Sequence, residues 1–293
     1  MKKSGIVLFS ALLLLAGCAA NNASTSSSSE KASSSQTVKL SAEEQKELDK
    51  ATSDYKTFVQ GQIDKLLTDT ENFRDLLKAG NLDEAKKVYP IIRMSYERSE
   101  PIAESFGESD VKIDFRLVDY KEENKTEEGW SGFHRIERIL WEQNTTQGTE
   151  KYADQLVDDI KELKAKIATV EVTPEIMLTG AVDLLNEVAT SKITGEEEVY
   201  SHTDLYDFRA NIEGAEKIFQ LFRPLIEKKD AKLVESLDTE FKNVNGLLDK
   251  YMTDKENYKL YTELSKDDTK ALSEAVTKLG EPLSQMGVIV DGN

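Results

Sequence analysis

From Leu48 to Leu77 one spacing governs the chain: Leu48, Ala51, Tyr55, Phe58, Ile63, Leu66, Thr70, Phe73 and Leu77 recur mostly three or four positions apart. That spacing places them on one face of a single long helix, which must bury its stripe against other helices. Ser41 and Glu44 have the spacing of a capping box at its start, where each side chain satisfies a free backbone amide. Gly80 is a natural stop, since glycine takes the left-handed cap conformation without strain. Asn81 and Glu84 repeat the capping signature for a second helix.

The second helix carries YPIIRMSYERSEPIAESF, and Pro90 and Pro101 each predict a bend or break, because proline lacks a backbone donor and clashes with the preceding turn. A looser stretch, GESDVKIDFRLVDYKEENK, leads to GWSGFHRIERILW. Lys151 to Val170 reads as another amphipathic helix, and Thr173 with Pro174 reads as an N-cap followed by proline at the first helical position. The segments Glu175 to Ala189, Asp204 to Glu227, Lys232 to Met252 and Lys266 to Met286 are also helix-periodic. Strand-like alternation is scarce. The expected architecture is all-α, two antiparallel four-helix bundles packed together, with residues 41–172 in the first and 173–293 in the second.

Ahead of these helices, Met1, Lys2 and Lys3 precede an apolar run from Ile6 to Ala16. The run is about half the ~20 residues a membrane-spanning helix needs, which fits a signal-peptide core. Its ending, LAGC, resembles the lipobox of bacterial lipoproteins, so residues 1–17 are expected to be removed and Cys18 lipidated. Residues 18–40 are serine-rich with little to bury and read as a flexible tether. Cys18 is the only cysteine, so the folded part is expected to use neither disulfide nor thiolate chemistry. Loss of Lys2 and Lys3 takes the formal charge from -17 to about -19. Such a surface repels nucleic acid and favours the approach of cations.

Within GWSGFHRIERILW, His134 and Glu137 lie three apart on a helix, close enough to reach one ion. Imidazole and carboxylate suit borderline or hard transition metals. The same pair also suits a core histidine with Glu137 paired to an arginine. HExxH and its inverted form are absent, as are a GxSxG elbow and a GxxxxGK[ST] phosphate loop. Glu97, Glu100 and Glu104 share a helix face and suit either solvent or pairing with Arg93 and Arg98. Asp114 suits an N-cap or turn. Thr203 or Asp204 suits the N-cap of the helix that follows, and the acidic run Glu196 to Glu198 reads as a solvated turn.

Taken together, YERSEPIAESFGESDVKIDFR (Tyr96 to Arg116), GWSGFHRIERILW, and TGEEEVYSHTDLYDFRANIEGA (Thr194 to Ala215) resemble segments of the imelysin-like iron-uptake lipoproteins of the EfeO and EfeM type. The resemblance covers essentially the whole chain after the tether and implies a pair of four-helix bundles. Its HxxE motif matches His134 and Glu137, and its further metal-site acids match Glu100 and Asp114. His202 and Asp204 are carried as a candidate secondary metal contact. Three carboxylates with a neutral imidazole would balance a ferric ion, and such a set also accepts zinc, copper or manganese. The resemblance implies a membrane-anchored, extracytoplasmic iron carrier without catalytic residues, an iron permease as partner, and a haem-type peroxidase as a further one. The helices follow the tether directly, as in the short form without a cupredoxin-like domain. Two other classes stay open on the residues alone: a metallopeptidase, after the peptidase label of the imelysins, and an envelope-binding module that holds no metal.

Overall fold

Ser41 begins the first helix as its spacing requires. Its side chain accepts from the Glu44 amide, and the Glu44 carboxylate accepts from the Ser41 amide at 2.7 Å. The computed structural model describes residues 40–290, so the signal segment, Cys18 and nearly all of the tether lie outside the described residues. Helix α1 (Ala42–Lys78) is 37 residues long and buries Leu48, Ala51, Tyr55, Ile63, Leu66, Thr70, Phe73 and Leu77 on one stripe. Gly80 follows it with φ of 77°. Helix α2 (Leu82–Glu97) starts at Asn81, whose side chain makes no capping bond, so the expected second capping box is absent.

Pro90 does not break α2, which runs on to Glu97. At Pro101 the chain does change: a 3-10 stretch, Glu100–Phe106, contains the non-helical Ile102. The loose segment then winds into two short helices, α3 (Glu108–Asp114) and α4 (Leu117–Asn124). The remaining helices are α5 (Phe133–Glu142), α6 (Glu150–Thr169), α7 (Pro174–Thr190), α8 (Asp204–Lys229), α9 (Ala231–Leu248) and α10 (Lys266–Val290). Thr173 caps α7 by accepting from the Ile176 amide at 3.2 Å. Among the described residues there are ten α-helices and no strand, so the fold is all-α.

Helix α1 packs on α2, α6 and α8, while α7, α8, α9 and α10 pack on one another. Helix α8 is the shared element, touching α1 and α2 as well as α7 and α9. It buries residues along most of its length, among them Leu205, Phe208, Ile212, Ile218, Phe219 and Phe222. The polar residues it buries, Asp204, Asp207 and Asn211, fall one turn apart on the face it turns to α2 and its 3-10 extension. None of the described helices is long and apolar enough to cross a membrane.

Candidate metal centre

Helix α5 begins hard against the end of α3. A Cβ on Gly132, whose φ is 86°, would lie 2.3 Å from the Ile113 carbonyl oxygen, so only glycine allows this approach. The approach brings His134, near the start of α5, beside Asp114 at the end of α3. His134 is 2% exposed and Glu137 is fully buried.

The two ring nitrogens of His134 face different surroundings. Nδ1 lies 3.2 Å from Glu137 Oε2. The other Glu137 oxygen accepts from the Tyr200 amide at 3.0 Å and the Ser201 amide at 2.7 Å. Burial pushes the Glu137 carboxyl up, but the hydrogen bonds from His134 and Ser201 outweigh it and hold the group below its usual range. In the tautomer that donates Nδ1–H to this carboxylate, Nε2 carries the lone pair. Nε2 is buried and has no hydrogen-bond partner, with Asp114 Oδ1 at 3.6 Å and Glu197 Oε1 at 3.8 Å. Asp114, His134 and Glu197 can offer ligand atoms that all lie within 4.8 Å of one another. On the Nδ1 side, His134, Glu137 and Glu198 form a second such group.

Arg93, from α2, is the cation that this acid cluster already contains. Its fully buried guanidinium bonds Glu97 at 2.6 Å and is in ionic contact with Asp114 and Glu198, with Asp207 at 3.3 Å and Glu197 at 3.7 Å. One guanidinium cannot neutralise that many carboxylates, and burying unpaired charge is costly. The cost appears in the proton affinities. Burial pushes Asp114 up to about 6 against the pull of Arg93. Burial likewise raises Glu198 and Asp207 well above the carboxylate range, again against Arg93. Burial thus makes these carboxyls harder to ionise than ordinary acids, even with Arg93 among them.

Lys192 supplies the second positive charge. It lies in a 3-10 turn, Lys192–Thr194, that follows α7, and its ammonium meets both Glu100 oxygens at 2.8 and 2.9 Å and Glu97 at 3.3 Å. Asn211 of α8 donates to the same two carboxylates, at 3.0 Å to Glu97 and 2.7 Å to Glu100. Burial raises Glu97, but Lys192 and Arg93 outweigh it and bring the group down to about 2. Burial raises Glu100 well above its usual range in spite of Lys192, because Glu97 keeps its charge alongside.

Of the three acids and one imidazole matched to the motif, the fold therefore brings His134, Glu137 and Asp114 together and gives Glu100 to Lys192 and Asn211. His202 has φ of 59°, and its carbonyl accepts from the Tyr261 amide. Neither it nor Asp204 belongs to a group of convergent metal-capable side chains among the described residues. Asp204 accepts from the Glu198 amide at 3.1 Å through one oxygen, while its other oxygen is buried without a partner. Thr203, in the N-cap position of α8, makes no capping bond and instead meets the Ser201 hydroxyl at 2.8 Å.

The expectation that Glu196 to Glu198 form a solvated turn is corrected. Glu196 does reach outward to Arg116 at 2.8 Å, but Glu197 is 5% exposed and Glu198 is fully buried. The turn is folded inward by its own partners: the Glu198 amide on Asp204, the Glu198 carboxylate on Ser201 at 2.9 Å, and Arg93 beneath. Sequence reasoning also missed Lys192 and Asp207. The one available signal was the density of acids between Gly195 and Asp207, unbroken by any lysine or arginine that could pair them locally.

A cleft of about 800 Å³ opens onto this cluster. Asp114 and Glu197 line it together with Glu100, Asp110, Glu187 and Lys192, so both carboxylates beside His134 Nε2 border the cleft. The arrangement can hold one cation between an imidazole nitrogen and two carboxylates, at the wall of an acidic cleft, with Glu137 fixing the ring from behind.

The sequence model of the imelysin family matches residues 51–286. An "Efem/EfeO family lipoprotein" of Staphylococcus haemolyticus (strain JCSC1435) is 54% identical over 257 residues, covering 87% of this chain and 89% of its own. A protein of the same description from Staphylococcus aureus (strain MSSA476) is 53% identical over 246 residues, covering 84% and 86%. Both relatives are described as lipoproteins and neither as an enzyme. With the helical fold and the HxxE helix in place, this chain belongs to the imelysin family and, within it, to the EfeM/EfeO lipoproteins.

Proposed function

We propose that this protein is a lipid-anchored, extracytoplasmic carrier that captures iron at the Nε2 face of His134 and passes it to an iron permease. The observation that carries this reading is the buried, unpartnered Nε2 with Asp114 and Glu197 on either side. Asp114, Glu197 and a neutral imidazole balance a divalent ion, and the surplus carboxylates around Arg93 are what a third charge would draw on. Oxygen-rich ligation with one nitrogen suits iron, while zinc, manganese and copper fit the same donors, so selection among them rests on supply and geometry. The description of the relatives supports the iron assignment and the membrane anchor, and Cys18 is the residue that would carry the lipid. The permease, and a haem-type peroxidase beside it, are proposed as partners on family grounds.

A carrier fits the site better than a peptidase does. Both oxygens of Glu137 are committed, one to His134 and one to two backbone amides, so this carboxylate is not free to activate a water molecule. The test is calorimetric titration of the whole chain with ferrous and ferric iron, beside His134→Ala, Asp114→Asn and Glu197→Gln variants of intact helicity. The carrier reading requires stoichiometric binding that these substitutions abolish or weaken, together with no cleavage of a denatured protein by the metal-loaded sample. Binding that survives all three substitutions would reject it.

A further inference from the structure

We propose that the cleft receives ferric iron already bound to a small organic chelator, a monoanionic two-oxygen donor of the hydroxamate class, so that the cargo at His134 Nε2 is a chelate and not a bare ion. The proposal rests on the carrier reading for the place of the ion.

The donor set on the cleft side is incomplete and short of one charge. His134 Nε2 is buried without a hydrogen-bond partner, and with Asp114 and Glu197 it supplies half of an octahedral shell. Nearby acids are engaged elsewhere: Glu137 with His134 Nδ1 and two amides, Glu198 with Arg93 and Ser201, and Glu100 with Lys192 and Asn211. A ferric ion bound by Asp114 and Glu197 keeps one positive charge that neither ligand cancels, and residual charge in a buried site is costly. The acids around Arg93 act on it only from a distance. One monoanionic chelator fills two of the open positions and brings the charge to zero.

The cleft has the size and lining for such a molecule. Waters completing the shell need only about 30 Å³ each. The cleft has about 800 Å³, within the roughly 300 to 1,000 Å³ of small-molecule sites. Its wall is partly apolar. Phe115, next in the chain to Asp114, is half-buried there, and the buried Ile102 and Leu184 line the same cleft. A hydrated ion gains nothing from that wall, whereas the hydrocarbon part of a chelator is removed from water against it. Charge then selects among chelators. Helix α7 lines the cleft with Glu175, Asp183 and Glu187, spaced by multiples of four residues along one face, and none of them has an ion-pair partner among the described residues. Their potential repels the anionic ferric complexes of citrate and attracts the one-to-one ferric hydroxamate, a dication.

The experiment dialyses the whole chain against equal amounts of Fe³⁺ and benzohydroxamate, and separately against ferric citrate and against Mn²⁺ alone. Retained metal is counted by elemental analysis, and retained hydroxamate by the visible charge-transfer absorption of its ferric complex. The expected result is iron and hydroxamate retained in equal amounts by the parent, with at least about tenfold less iron retained from citrate. Glu197→Gln is expected to lose both iron and hydroxamate, and Phe115→Ala to weaken binding of the ferric hydroxamate about tenfold while leaving Mn²⁺ binding at the parent level. Iron retained without hydroxamate, or Mn²⁺ bound by a parent that takes up no ferric hydroxamate, overturns the proposal and leaves the carrier reading intact. Equal retention from citrate, or a Phe115→Ala variant that binds the chelate as the parent does, also overturns it. A chelate held equally by Glu197→Gln lies elsewhere and overturns it too. No retention of either metal removes both readings. Should Phe115→Ala fail to fold, the ratio of iron to hydroxamate in the parent decides alone.

Discussion

His134 Nδ1 and Glu137 Oε2, three residues apart on α5, meet at 3.2 Å, and this contact turns the free ring nitrogen toward Asp114 and Glu197. In the proposed centre Glu137 is therefore the group that orients the ring and fixes its proton. Replacing it with glutamine keeps the shape but removes the charge that defines the tautomer. Glu137→Gln is predicted to weaken metal binding by roughly 10- to 100-fold, the usual cost of losing such a supporting carboxylate. His134→Ala should abolish binding at this centre. Titration of both variants, with circular dichroism to confirm folding, checks the difference; equal losses would place Glu137 among the direct ligands.

The surplus of buried acid makes stability depend on pH in a defined direction. Asp114 and Asp204 both sit near 6, above the ordinary aspartate value of 3.8. Between these values the folded, cation-free protein holds protons that the unfolded chain has released, so stability falls as pH rises through that window. Each group contributes at most about 3 kcal/mol to the decline. Glu97, held at about 2, acts oppositely: its contribution is full above 4.5 and is lost as pH falls toward 2. Thermal denaturation of the metal-free protein is predicted to show its highest Tm near about pH 4 to 5, with Asp204→Asn flattening the decline above it. A Tm that climbs between pH 5 and 7 would contradict this.

Arg93 is predicted to be indispensable to the fold. Arg93→Met leaves Glu97, Asp114, Glu198 and Asp207 buried without their common partner, which should cost about 3 to 5 kcal/mol. Arg93→Lys should rescue little, because an ammonium cannot spread three contacts over a planar fork. Urea denaturation of both variants measures the cost, and a loss below about 1 kcal/mol would show that the acids are neutralised by protons alone.

Gly132 is predicted to be essential for geometry. A methyl group there meets the Ile113 carbonyl and must push the end of α3 away from α5. Gly132→Ala should destabilise the protein by about 1 to 3 kcal/mol and weaken metal binding together, since Asp114 rides on the displaced segment. Lost stability with unchanged affinity would separate the two helices' packing from the site.

Much of the fold was legible because its signals are local. The stripe from Leu48 to Leu77, the Ser41 and Glu44 box and the Thr173-Pro174 start each depend on a few neighbouring residues, and each is found in the structure, except that Val59 rather than Phe58 is the fully buried member of the stripe. Asn81 and Pro90 misled for the complementary reason. Tertiary packing carries α2 through its proline, and Asn81 takes a backbone conformation from which its side chain makes no capping bond. The site was half legible. His134 and Glu137 share a helix face, and Arg93 with Glu97 is a visible pair four residues apart. Glu197, Glu198 and Asp207 were not legible, since an acidic run reads as wet unless one knows that Arg93 lies beneath it, some hundred residues earlier in the chain. Lys192 was hidden in the same way, as a single lysine at the end of a helix.

In the proposed carrier an ion lies at His134 Nε2 between Asp114 and Glu197. X-ray absorption of the iron-loaded protein, compared with its Glu197→Gln variant, tests it most directly. The expected result is one imidazole nitrogen among oxygen ligands in the parent and a loss of bound iron in the variant. A shell without imidazole, or iron bound equally well in the variant, would place the ion elsewhere and contradict it.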